Sequence, residues 1–224
     1  MTYHINVFKL LFSMYDNMFR IRKAERITNL WGTCVALVFA SMVIYGWMAY
    51  LGIGTNIVSS DAAVLQASQF EFEKFWFIVG RILFSIIFAC AVLFIPPLVF
   101  LLFTDIPYQK LVAMQQVVLL VLLVERVLWI PIAVYGGLDW FVSPFSFGII
   151  ISYITQLHWV IAFFGAISIF QIWVIWFQTS YTASLSHLKK NQTVIVVLGL
   201  HIIYWAIAAA LSFFDTYMIG GWFG

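Results

Sequence analysis

Residues 30–51 read LWGTCVALVFASMVIYGWMAYL and hold no charged residue and no histidine. At 1.5 Å of rise per residue a helix over this run measures roughly 33 Å, enough to cross a hydrocarbon core of about 30 Å. One such run can be a buried core helix. Four more follow it. They cover about 75–103 with Arg81 as the one charge, 111–135 with Glu125 and Arg126, 145–177 with His158, and 193–214 with His201. Five in succession exceed what a soluble core accommodates. The sequence is therefore expected to form an all-α, polytopic membrane bundle of five transmembrane helices.

Composition points the same way. The 224 residues are 64% hydrophobic, 19% aromatic and only 9% charged, against about 25% charged in a soluble domain. Too few polar residues remain to cover a sizeable soluble domain. The expected organisation is a cytoplasmic segment 1–29, one membrane domain 30–214 and a short external tail 215–224. A net charge of +2 is too small to imply a nucleic-acid partner. Cys34 and Cys90 sit inside apolar runs, and no CxxC pair or Cys/His cluster exists. Neither a disulfide framework nor a metal site is expected. The first apolar run is too long for a cleavable signal and no small-residue cleavage site follows it.

Lysine and arginine set the direction. The N-terminal segment carries Lys9, Arg20, Arg22, Lys23 and Arg26, and the loops after spans two and four carry Lys110, Lys189 and Lys190. With five spans these three segments share one side. The opposite segments hold Asp61, Glu71, Glu73, Asp139 and Asp215 against Lys74 alone. Positive charge favours the cytoplasmic side, so the N-terminus is expected inside and the C-terminus outside. Misreading one span would break this agreement.

The cytoplasmic segment has its own pattern. Val7, Leu10, Leu11, Met14, Met18 and Ile21 recur at helical spacing ahead of the basic cluster. That suits an amphipathic interfacial helix drawn to anionic lipid, or a docking face for a partner. Its candidate contact residues are Lys9, Arg20, Arg22, Lys23 and Arg26. In the first external loop, Ser59-Ser60-Asp61 reads as a helix start, with Val64, Leu65, Phe70 and Phe72 at the interface. Trp31, Trp47, Trp76, Trp140 and Trp222 fall near predicted boundaries, where an aromatic belt belongs. Pro96-Pro97 is expected to end span two, because 75–95 already measures roughly 31 Å. Pro131 is expected to bend the last turns of span three. Ala36 with Ala40, Ala162 with Ala166 and Ala206 with Ala210 permit close helix packing.

Ionisable residues inside the membrane are costly and usually face the bundle interior. Arg81 and Glu125 fall at comparable depth in the outer half, roughly 9 Å and 15 Å in, with Arg126 beside Glu125. Together with His158 they form the candidate intramembrane site. It reads either as an ion, proton or ligand site or as a buried pair that fixes helix register. His158 and His201 also raise a haem b reading, in which each supplies an axial ligand. No GxSxG, Walker A, HExxH or GxGxxG motif is present, and no carboxylate pair stands out. The chain is not expected to be an enzyme or to carry a cofactor.

The layout resembles the bacterial branch of the YIP-domain membrane proteins. Val7-Phe8-Lys9-Leu10-Leu11-Phe12-Ser13 before a basic stretch looks like the start of such proteins. Thr104-Asp105-Ile106-Pro107-Tyr108-Gln109-Lys110-Leu111 leads into span three as theirs does, with Pro131 late in that span. Ser143-Pro144-Phe145 before span four and the basic turn before span five fit as well. The resemblance implies five spans, a cytoplasmic N-terminus, and an accessory or scaffolding role beside other membrane proteins such as an ABC-type exporter. The Asp-Leu-Tyr-Gly-Pro stretch of eukaryotic members is absent from the sequence, so no small-GTPase contact is implied. The expected surroundings are the lipid bilayer of a bacterial plasma membrane and other membrane proteins, with homo-oligomers open. The alternatives are a small transporter or channel using the Arg/Glu/His cluster and, lesser, the haem protein.

Overall fold

The computed structural model describes residues 2–53, 66–136 and 143–214. Ser59-Ser60-Asp61, Val64, Leu65, Asp139, Trp140 and the tail 215–224 with Asp215 and Trp222 lie outside the described residues. The chain divides into two compact units, Met1–Leu98 with Pro107–Trp140 and Val99–Ile106 with Phe141–Gly224. Helix dominates both.

The first unit begins with β1 (Thr2–His4), α1 (Val7–Phe12), α2 (Met14–Lys23) and β2 (Arg26–Thr28). The two strands pair in parallel, Thr2 with Arg26 and His4 with Thr28, and draw the N-terminus back beside the start of the first long helix. Asn17 organises this fold. Its Nδ2 donates to the Lys9 and Ser13 carbonyls at 2.9 and 2.8 Å, across the break between α1 and α2. Its Oδ1 accepts from the Tyr3 hydroxyl at 2.9 Å. Burial pushes the Tyr3 phenol above its ordinary value, which keeps it the protonated donor.

α3 (Leu30–Tyr50) starts abruptly after Asn29, which takes a left-handed φ of 63°. Gly32 makes room for it, since a Cβ there would stand 2.8 Å from Asn29 Oδ1. Along α3, Trp31, Val35, Phe39, Val43 and Trp47 recur every four residues and are at least half exposed. Leu30, Cys34, Leu37, Ser41, Tyr45 and Met48 are buried. A line of bare large apolar side chains is ordinary on a helix whose outer solvent is hydrocarbon.

α4 (Ala67–Phe103) continues as helix past Pro96 and Pro97. The expected termination at Pro96 does not occur. The residues beyond it, Leu98 to Phe103, are all apolar, and helix is the state that satisfies their backbone groups without water. The helix stops at Thr104 instead, whose backbone N–H and Oγ1 both bond the Phe100 carbonyl at 2.9 and 2.8 Å. α5 (Tyr108–Gly136) follows and continues through Pro131. Its residues Leu111 to Leu119 are all buried, with α1 and α3 among their neighbours.

In the second unit the expected single helix over 145–177 is three helices: α6 (Gly148–Ser152), α7 (His158–Gly165) and α8 (Ile169–Leu185). Serine and threonine explain the breaks, because their side chains offer the backbone local partners that compete with helix. Ser146 Oγ donates to the Ser143 carbonyl at 2.7 Å and accepts from Gly148 N–H. Thr155 Oγ1 accepts from Leu157 N–H before α7. Ser168 caps α8 by accepting from Gln171 N–H at 3.2 Å. An antiparallel bridge joins Ser146 to Ser168, so α6 and α7 form a closed hairpin. α9 (Lys190–Phe214) returns along α7 and α8. Among the described residues four helices are long and apolar enough to cross a membrane, at Leu30–Tyr50, Ser68–Phe103, Tyr108–Gly136 and Lys190–Phe213.

Candidate functional site

The first unit gathers its membrane-embedded arginines around one ring. Tyr45 on α3 is 3% exposed. The Arg81 guanidinium carbon, from α4, lies 5.7 Å from the Tyr45 ring centroid and 6.0 Å from that of Phe84. The Arg126 guanidinium carbon, from α5, lies 5.9 Å from the Tyr45 centroid and 4.6 Å from that of Trp129. Phe84 and Phe88 flank Tyr45 at 6.1 and 5.9 Å. Ring faces are negative, so they partly replace the water that a guanidinium loses in the membrane. Arg81 is thus set against aromatic faces. Glu125 is buried on α5, one turn before Trp129. Among the described residues Arg81 Nε and Trp129 Nε1 are buried donors with no hydrogen-bond partner.

Other polar contacts tie the helices of this unit together. Gln116 on α5 donates from Nε2 to the Leu30 carbonyl at 2.7 Å and to Cys34 Sγ at 3.1 Å. Ser41 on α3 donates to the Ser85 carbonyl on α4 at 3.3 Å. An amide in an apolar run does not show in the sequence which helix it will meet.

His158 belongs to the second unit, exposed at the first residue of α7. His201, on α9, is 5% exposed and its Nε2 lies 2.9 Å from Gln178 Oε1 on α8. The ring nitrogen that an axial haem ligand would present is therefore engaged. Tyr204 and Trp205 stand beside the imidazole, with ring centroids 6.3 and 6.1 Å away. No group of three or more His, Cys, Asp or Glu side chains suited to a metal ion occurs among the described residues.

The N-terminal basic residues are all exposed. Arg20 pairs with Asp16 at 3.0 Å on the surface, a contact that contributes little there. Lys23 Nζ sits 4.2 Å from the Phe19 ring centroid. Arg22 accepts, through its carbonyl, from Lys110 Nζ at 3.2 Å. A cleft of about 280 Å³ opens among Tyr3, His4, Asn6, Lys9, Asn17 and Arg20. A larger and more open one, about 510 Å³, runs along Ser68, Gln69, Phe72 and Glu73 at the start of α4. Neither is lined by Arg81, Glu125, Arg126 or His158.

No family model, curated protein or solved structure matches the chain.

Proposed function

We propose that the chain is a non-enzymatic multi-pass protein of the cell membrane, acting as an accessory or scaffolding partner of other membrane proteins in the manner of YIP-type proteins. The observation that carries this reading is where the intramembrane polar groups go. Gln116, Ser41 and the His201–Gln178 pair link one helix to another, and Arg81 and Arg126 lean on Tyr45. Such contacts hold a bundle in register. Chemical crosslinking and co-purification from native membranes test it. Recovery with a recurring membrane partner, an ABC-type exporter for example, is expected. A chain that stays solitary under mild extraction overturns it.

The proposed topology keeps five crossings, with the N-terminus inside. The fourth crossing is α8, whose 17 residues reach about 25 Å, at the short end of what spans a bilayer. In this arrangement the α6–α7 hairpin enters from the outer side and returns to it.

The convergence of Arg81 and Arg126 on Tyr45 favours a second reading, a small transporter or channel with Glu125 as its proton or ion carrier. Under it, Glu125→Gln abolishes flux in reconstituted vesicles while the fold survives. Loss of stability alone marks the cluster as structural.

A further inference from the structure

The N-terminal helices have two apolar faces, and only one of them belongs to the protein. Val7, Leu10, Met14, Met18 and Ile21 are buried, all under 9% exposed. These are the residues expected to face lipid, apart from Leu11, which is half-buried. They pack inward instead, with α1 against α5. Their spacing of three and four continues across the break at Ser13, so the outward residues keep a common side as well. On that side Phe8, Phe12, Tyr15 and Phe19 are exposed at 62%, 82%, 74% and 57%. At 100° per residue the two sets point about 130° apart.

We propose that the line Phe8, Phe12, Tyr15 and Phe19 seats in the headgroup layer of an anionic bilayer, with Lys9, Arg20, Arg22 and Lys23 reaching lipid phosphates. Four aromatic rings in one line are an unusual face to leave in water, and aromatic rings are enriched at the membrane interface. Charge selects anionic lipid as the occupant. Residues 1–29 carry five basic side chains, Lys9, Arg20, Arg22, Lys23 and Arg26, against Asp16 and Glu25, an excess of three. Lys23 already holds its ammonium over the Phe19 ring, Nζ 4.2 Å from the centroid, so a cation and an aromatic ring of this face stand together. Lys9 and Arg20 also line one cleft of this segment. The surface is also continuous with lipid-facing α3, whose exposed line begins at Trp31, three residues after β2. The segment is therefore clamped between protein and lipid, and it fixes the level at which α3 enters the membrane.

The inference rests on the N-terminal segment lying at a membrane face and needs no protein partner. Failure of the co-purification test leaves it standing. The test uses the full chain in nanodiscs of phosphatidylcholine, alone or mixed with phosphatidylglycerol. A spin label on Phe12→Cys, in a Cys34→Ser, Cys90→Ala background, should be open to oxygen and shielded from a water-soluble nickel complex. A label on Ser13→Cys, which points about 130° away from the aromatic line, should show the reverse. In the unmodified chain, adding phosphatidylglycerol should slow trypsin cleavage after Arg22 and Lys23 by about tenfold. Equal nickel access at positions 12 and 13 overturns the proposal, as does cleavage indifferent to lipid charge. Protection at Phe12 in native membranes but not in nanodiscs also overturns it, since a protein would then cover the face.

Discussion

Tyr45 receives Arg81 and Arg126, and its ring presents a negative face to both. Tyr45→Leu removes that face and should lower stability by about 1–3 kcal/mol, read as a fall in the thermal midpoint in detergent. Tyr45→Phe keeps the ring and should change it little. The His201–Gln178 contact makes a second case. Gln178→Leu alone strands a buried imidazole, at a cost of about 1–3 kcal/mol. Adding His201→Phe removes the stranded group and should recover most of the loss, which a double-mutant cycle measures. Arg81, Glu125 and Arg126 were legible as candidates because a charge stands out in an apolar run. Tyr45, Gln116 and Gln178 were not, since a polar side chain in such a run does not say which distant residue it will meet. Their importance comes from partners more than twenty residues away.

At the scale of elements, the differences from expectation have local causes. Pro96-Pro97 removes two intrahelical donors, yet α4 continues, because the apolar residues beyond it have no water to turn to. The stretch 145–177 breaks where Ser146, Thr155 and Ser168 supply side-chain partners to the backbone. Hydropathy alone does not see this, since isolated hydroxyls hardly lower the average of a long apolar window. The α6–α7 hairpin depends on close backbone approach at Gly148, where a Cβ would stand 2.7 Å from Gly165 Cα and 3.1 Å from the Ile161 carbonyl oxygen. Gly148→Ala should therefore destabilise the second unit by about 1–3 kcal/mol, seen as earlier detergent-induced unfolding. Among the described residues nothing lies within 4 Å of a Cβ added at Gly80 on α4, and Gly80→Ala should be neutral or stabilising by up to about 1 kcal/mol.

For the whole molecule, five crossings with the N-terminus inside make a direct prediction. A C-terminal alkaline phosphatase fusion should be active and a C-terminal green fluorescent fusion dark. A cysteine at Thr155, in the turn between α6 and α7, should react with reagents added from outside and not from the cytoplasm. Labelling from the cytoplasm would make the 145–168 stretch a crossing and change the parity. The sequence by itself determined that the chain is helical and built for a membrane. That property is the sum of transfer free energies along each run, and it adds residue by residue without reference to any partner. Only the tertiary structure decided which side of each helix meets protein. A helix apolar around its whole circumference carries no stripe to mark its buried side, so shape and hydrogen bonds between distant residues make the choice. The N-terminal segment shows it most clearly: its aliphatic face was legible at helical spacing, but only packing turned that face inward and left the aromatic one outside.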